Sequence, residues 1–106
     1  VNIHENTYID AIGGISIGDD VSVAHACSLL SFDHAWTNDD VAIKYNDLVL
    51  KEVVLSSDVW IGCGVRILAG ANILSRSVVA AGAVVTEGTY PSGVYGGVPA
   101  KFLKGI

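Results

Sequence analysis

Branched aliphatic residues recur at every sixth position through the second half of the chain. Read in sixes from Leu55, the rows are LSSDVW, IGCGVR, ILAGAN, ILSRSV, VAAGAV and then VTEG. They lead with Leu55, Ile61, Ile67, Ile73, Val79 and Val85. The fifth places hold Val59, Val65, Ala71, Ser77 and Ala83, all small or β-branched. The same register starts earlier, with leads at Ile17, Val23 and Leu29 and fifth places at Val21, Cys27 and then Asp33. AIGGIS, from Ala11, is a weaker copy, and the row from Glu5 departs from the pattern. A fifth place and the next lead are two residues apart, so both point to one side of an extended strand. Each row therefore predicts one short strand and one corner. Gly18-Asp19-Asp20, Gly62-Cys63-Gly64 and Gly70 with Asn72 mark corners, because such residues tolerate the backbone angles of tight turns. Three rows make a triangular coil, and coils stack by parallel strand pairing. The expected fold is all-β, a parallel β-helix forming a single domain over residues 1–106.

The rows are interrupted once, over about 35–54 (AWTNDDVAIKYNDLVLKEVV). A stretch of this length inside a compact domain is functional or disordered. It reads as an external loop leaving a corner just after His34. From Tyr90 to Ile106 the chain leaves the pattern again, and Lys101–Ile106 is expected to form a short helix or tail.

Composition agrees with extended structure. Of 106 residues, 51% are hydrophobic and 16% charged, with 15 Val and 10 Ile. Such a chain is not intrinsically disordered. No run of about 18 apolar residues is present to form a spanning helix. Two cysteines are too few for a disulfide scaffold. So small and apolar a chain is expected to oligomerise. It begins Val-Asn-Ile and has no methionine, so an N-terminal part of a longer protein is expected to be missing. The net charge of −5 argues against nucleic acid as a partner. The charge is uneven. Val1 to Asp58 holds ten acids and two bases, whereas Val59 to Ile106 holds one acid, Glu87, and four bases. The basic half is either a solvated face or the place where a small anion docks.

The segments IGDDVSVAHACSLLSFDH, DVWIGCGVRILAG, AAGAVVTEG and GGVPAK resemble the hexapeptide-repeat acyltransferases, in the branch of galactoside, maltose and polysaccharide O-acetyltransferases. The resemblance runs from about Ile12 to Lys104. It alone implies a left-handed coil, since crossovers are normally right-handed. It further implies an acetyl-coenzyme A-dependent O-acetyltransferase acting on a hydroxyl of a sugar or of a polysaccharide or lipopolysaccharide precursor. No metal, nucleic acid or membrane span is implied. The resemblance implies a homotrimer with active sites between subunits, and the need for acetyl-coenzyme A together with the lack of a signal peptide points to a cytoplasmic location.

Within that resemblance His34, in Ser31-Phe32-Asp33-His34, takes the place of the catalytic base. On position alone an ordinary corner residue is the other reading. A neutral imidazole can remove the proton of an alcohol as it attacks a thioester. Carried over by position, Trp60 and Cys63 flank the thioester, and the Cys63 amide donates to the developing oxyanion. Ala81 and Thr86 meet the pantetheine arm. Lys101 and Lys104 meet the nucleotide phosphates. Relatives often have Lys where this chain has Glu87. Asp33, Trp36, Asn38 and Tyr45 are candidate acceptor contacts, with turn and loop-anchoring roles as their alternatives, and orientation of the His34 imidazole as a further alternative for Asp33. His25 reads as a surface residue, His4 lies in the unpatterned start, and Cys27 reads as core. Cys63 has no adjacent His to activate it as a nucleophile. A zinc site would need three converging imidazoles, and His25 and His34 fall on different corners. The remaining alternatives are a non-catalytic coil scaffold and a serine- or antibiotic-acetylating relative.

Overall fold

The computed structural model describes residues 1–106, as three parallel sheets wrapped around one apolar axis. The first face stacks Asn2–Ile3, Ser22–Val23, Val59–Ile61, Ser77–Val79 and Gly93–Gly96. The second stacks Tyr8–Asp10, Ser28–Leu30, Arg66–Ile67 and Val84–Val85, and the third Ile15–Ile17, Val53–Leu55, Ala71–Ile73 and Gly88–Tyr90. The whole measures 47 × 25 × 19 Å.

The six-residue pattern builds this core directly. Leads stack in register on each face: Val23, Ile61 and Val79 on the first, Leu29, Ile67 and Val85 on the second, Leu55 and Ile73 on the third. All eight are buried, as are the fifth-place residues Val21, Cys27, Val59, Val65, Ala71, Ser77 and Ala83. Ser77 is polar yet buried, and its hydroxyl donates to the Leu74 carbonyl at 2.8 Å, which offsets its desolvation. The corners expected at Asp20, Gly64 and Gly70 have positive φ, whereas Asn72 lies within a strand.

Two boundaries differ from the sequence reading. The excursion does not start after His34. The chain leaves the coil at Ser31, runs through an antiparallel hairpin of Phe32–His34 with Leu48–Leu50, and resumes the coil at Val53. His34 thus stands on the hairpin, and the irregular tip is residues 35–47, holding a 3-10 turn at Ile43–Tyr45. The coil also continues beyond Val85, because Tyr90 pairs with Ile73 and Tyr95 with Val79 in the lead register. Aromatic rings take the places that aliphatic leads occupy earlier, so the apolar repeat is hidden at this end. Lys101–Lys104 is neither helix nor loose tail. It is a strand folded back antiparallel on Gly93–Gly96. A Cβ at Gly93 would lie 2.5 Å from the Phe102 ring and one at Gly96 2.9 Å from Leu103, so these glycines make room for the returning strand. Phe102 meets Tyr95 edge-on at 5.8 Å.

Candidate active site

Ser31 organises the exit of the hairpin. It is fully buried. Its hydroxyl donates to the Asp10 carbonyl at 2.8 Å and accepts from the Gly13 amide at 2.8 Å. Its carbonyl accepts from the Lys51 amide at 3.0 Å. The hairpin is therefore rooted at one buried point on the edge between the second and third faces.

Three residues on, the His34 ring lies 6.4 Å from Phe32, edge to face. Nδ1 is buried and has no hydrogen-bond partner, which leaves Nε2 as the ring nitrogen for a ligand. Asp33 does not orient the imidazole. Its Oδ1 accepts from the His34 amide at 2.8 Å, which shapes the backbone instead. A cavity of about 240 Å³ opens beside His34, with Asp33, Trp36, Thr37, Val49 and Lys51 among its walls. A second cavity, of about 350 Å³, lies against the coil and includes Phe32, Leu68, Thr86 and Glu87. Asp33 and Lys51 line both, so they mark the junction.

Lys51 was not singled out by its sequence context, where it reads as one polar residue in a loop. In the structure its ammonium is 2.5 Å from a Glu87 carboxylate oxygen. Glu87 reaches it across Gly70, where a Cβ would sit 2.8 Å from the Glu87 side chain. The negative charge of Glu87 is thus matched within the chain.

The remaining candidates separate into two groups. Thr86 shares the edge of the hairpin, between the second and third faces. Trp60 is exposed on the first face, and Cys63 and Ala81 lie one coil apart on the edge between the first and second faces. The amides of Cys63 and Ala81 have no hydrogen-bond partner within the chain. Lys101 and Lys104 are exposed on the returning strand of the first face. One chain therefore does not bring His34 and these residues to one edge. Asn38 and Tyr45 lie away from the His34 cavity. Asn38 holds the tip together, donating its amide to Asn46 at 3.1 Å and accepting from the Asp40 amide at 3.0 Å. Tyr45 is exposed under the Lys44 ammonium, 5.0 Å from its ring centre. His4 and His25 are exposed on the edge between the first and second faces, away from His34. Cys27 is buried and Cys63 partly so, and both are free thiols.

No family model matches the chain. It is 34% identical over 93% of its length to a probable acetyltransferase of Mycobacterium tuberculosis, covering 32% of that protein. It is 30% identical to the galactoside O-acetyltransferase of Escherichia coli, over 87% of this chain and 44% of that one. Among solved structures, a hexapeptide-repeat acetyltransferase of Vibrio cholerae, complexed with acetyl-coenzyme A, superposes with a TM-score of 0.84 at 31% identity. The match covers 97% of this chain and 58% of that one. This chain belongs to the hexapeptide-repeat acyltransferases. Its coil is accordingly the left-handed β-helix of that family. A maltose O-acetyltransferase of Clostridium difficile gives a TM-score of 0.79 at 29% identity, over 99% of this chain and 59% of that one. The chain spans between about a third and three-fifths of these family members' lengths.

Proposed function

We propose that the protein transfers an acetyl group from acetyl-coenzyme A to a hydroxyl of a sugar or of a polysaccharide or lipopolysaccharide precursor. The observation that carries this reading is the pair of cavities meeting at Asp33 and Lys51, with His34 in one and Thr86 in the other. The Vibrio cholerae relative, complexed with acetyl-coenzyme A, supports the donor.

In this reading the acceptor sits by His34, against Trp36. Nε2 takes the hydroxyl proton as the oxygen attacks the thioester carbonyl. The carbonyl oxygen becomes an oxyanion that an unpaired amide, that of Cys63, stabilises. Collapse releases the thiolate of coenzyme A, which takes the proton from the imidazolium. No covalent enzyme intermediate is formed. Thr86 and Ala81 hold the pantetheine arm, and Lys101 and Lys104 the phosphates.

Because His34 and Cys63 stand on different edges of one coil, the working site is shared between copies. We infer the homotrimer, each cleft formed by the hairpin edge of one protomer and the first-face edge of the next. An active monomer in sedimentation would overturn that assembly. From the need for acetyl-coenzyme A we infer a cytoplasmic reaction. The direct test is release of free thiol from acetyl-coenzyme A against a panel of sugars and sugar nucleotides. Acceptor-dependent release supports the reading, and failure with every acceptor, despite bound coenzyme A, would leave the scaffold alternative.

A further inference from the structure

We infer that Tyr90 is a positioning residue for Thr86, setting its hydroxyl as a hydrogen-bond acceptor for an amide N–H of the coenzyme arm. The inference rests on the coenzyme A reading above. A phenol has one proton to donate. The Tyr90 hydroxyl gives it to the Thr86 carbonyl at 2.8 Å. The same phenol oxygen lies 3.3 Å from Thr86 Oγ. With its own proton committed, the phenol can only accept in this second contact, so Thr86 must donate. What Thr86 Oγ then has left is lone-pair density. Thr86 lines the cavity against the coil, so a ligand there meets an acceptor.

The phenol is held in place from the inside. Tyr90 stands in the inward register of the third face, paired with Ile73. Its ring packs edge-on against Tyr95 at 5.2 Å and 84°, and the Tyr95 hydroxyl is tied to the Pro91 carbonyl at 2.6 Å. The other polar side chains of the cavity, Asp33, Lys51 and Glu87, are all charged. Lys51 and Glu87 face each other, and Asp33 accepts from the His34 amide. Thr86 is therefore the uncharged acceptor offered to a neutral donor. The pantetheine arm carries two amides, each with an N–H, whereas a ligand presenting only acceptors would gain nothing from this arrangement.

The test is calorimetric titration of coenzyme A into the intact protein, comparing Tyr90→Phe, Thr86→Val, Thr86→Ser and the double variant Tyr90→Phe/Thr86→Val. Tyr90→Phe keeps the ring and removes the phenol oxygen. It is expected to weaken coenzyme A binding about three- to tenfold. Thr86→Val is expected to lose as much, the double variant no more than Thr86→Val alone, and Thr86→Ser to keep near-normal affinity. A purely structural role for Tyr90 would lower thermal stability without this coupling. Unchanged affinity in Tyr90→Phe, or losses that add in the double variant, would overturn the inference. Should Tyr90→Phe not fold, equal affinity of Thr86→Ser and Thr86→Val would overturn it instead. If the unsubstituted protein binds no coenzyme A, the donor reading itself fails and the inference with it.

Discussion

Ser31 and Lys51 are hydrogen-bonded backbone to backbone, amide of Lys51 to carbonyl of Ser31, at 3.0 Å. The chain re-enters the coil where it left, and everything between is an appendage on a closed wall. Phe32 and Leu50 are also directly paired across the hairpin. Replacing residues 33–49 with Asn-Gly, a two-residue turn suited to such a pair, should therefore leave the coil folded. The expected product keeps a β-sheet circular dichroism spectrum and melts cooperatively, but releases no thiol from acetyl-coenzyme A. Loss of cooperative melting would contradict the rooting of the hairpin at Ser31.

His34→Ala is expected to lower kcat by about two to four orders of magnitude, the span for removal of a general base. Coenzyme A affinity should stay near normal, since His34 stands on the acceptor side of the junction. Turnover unchanged in this variant would remove the proposed base.

The double substitution Lys101→Ala with Lys104→Ala addresses the exposed basic strand. The KM for acetyl-coenzyme A should rise, on the order of tenfold, with kcat less affected. A change confined to the acceptor KM would reassign these lysines.

Gly62 packs closely under the next coil beside the candidate thioester edge. An added Cβ would lie 2.7 Å from the Ala81 nitrogen and 3.0 Å from the Val79 oxygen, both backbone atoms. Gly62→Ala should destabilise the protein by about 1–3 kcal/mol in urea denaturation. Gly105→Ala, with nothing within 4 Å, should stay within about 0.5 kcal/mol of the parent.

Tyr95 gives the fold an alkaline limit. Burial, with a smaller contribution from Tyr90, raises its phenol above the ordinary 10.0. Below that value the unfolded chain is also protonated, and the stability is fully present. As pH rises past it, the unfolded state ionises first, and stability falls until the folded phenol ionises too. Urea midpoints should therefore begin to drop as pH rises past the ordinary phenol value of 10.0, and Tyr95→Phe should flatten that slope. An equal slope in both proteins would place the titration elsewhere.

The inward ladders were legible because one constraint, burial against a parallel neighbour, selects the residue at every sixth place. The pattern faded where that constraint is met differently. Tyr90 and Tyr95 occupy lead places with aromatic rings, and the register to Gly88 and Gly93 is shorter than earlier turns. The hairpin was hidden for another reason. Leu48–Leu50 pairs with Phe32–His34 across the loop, and such non-local pairing leaves no period in the sequence. Lys51 escaped notice similarly, since its partner Glu87 and the bare surface at Gly70 lie on later coils. His34, Thr86 and Cys63 could be named as candidates through the motif resemblance. Their division between two edges could not, because it depends on how many corners separate them.

The returning strand also bears on assembly. Lys101–Lys104 occupies the outer edge of the first face beside Gly93–Gly96 and carries a lysine at each of its ends. A short edge strand with charge on it resists the addition of another strand. On this face the sheet is therefore discouraged from growing by edge-to-edge pairing with a second copy.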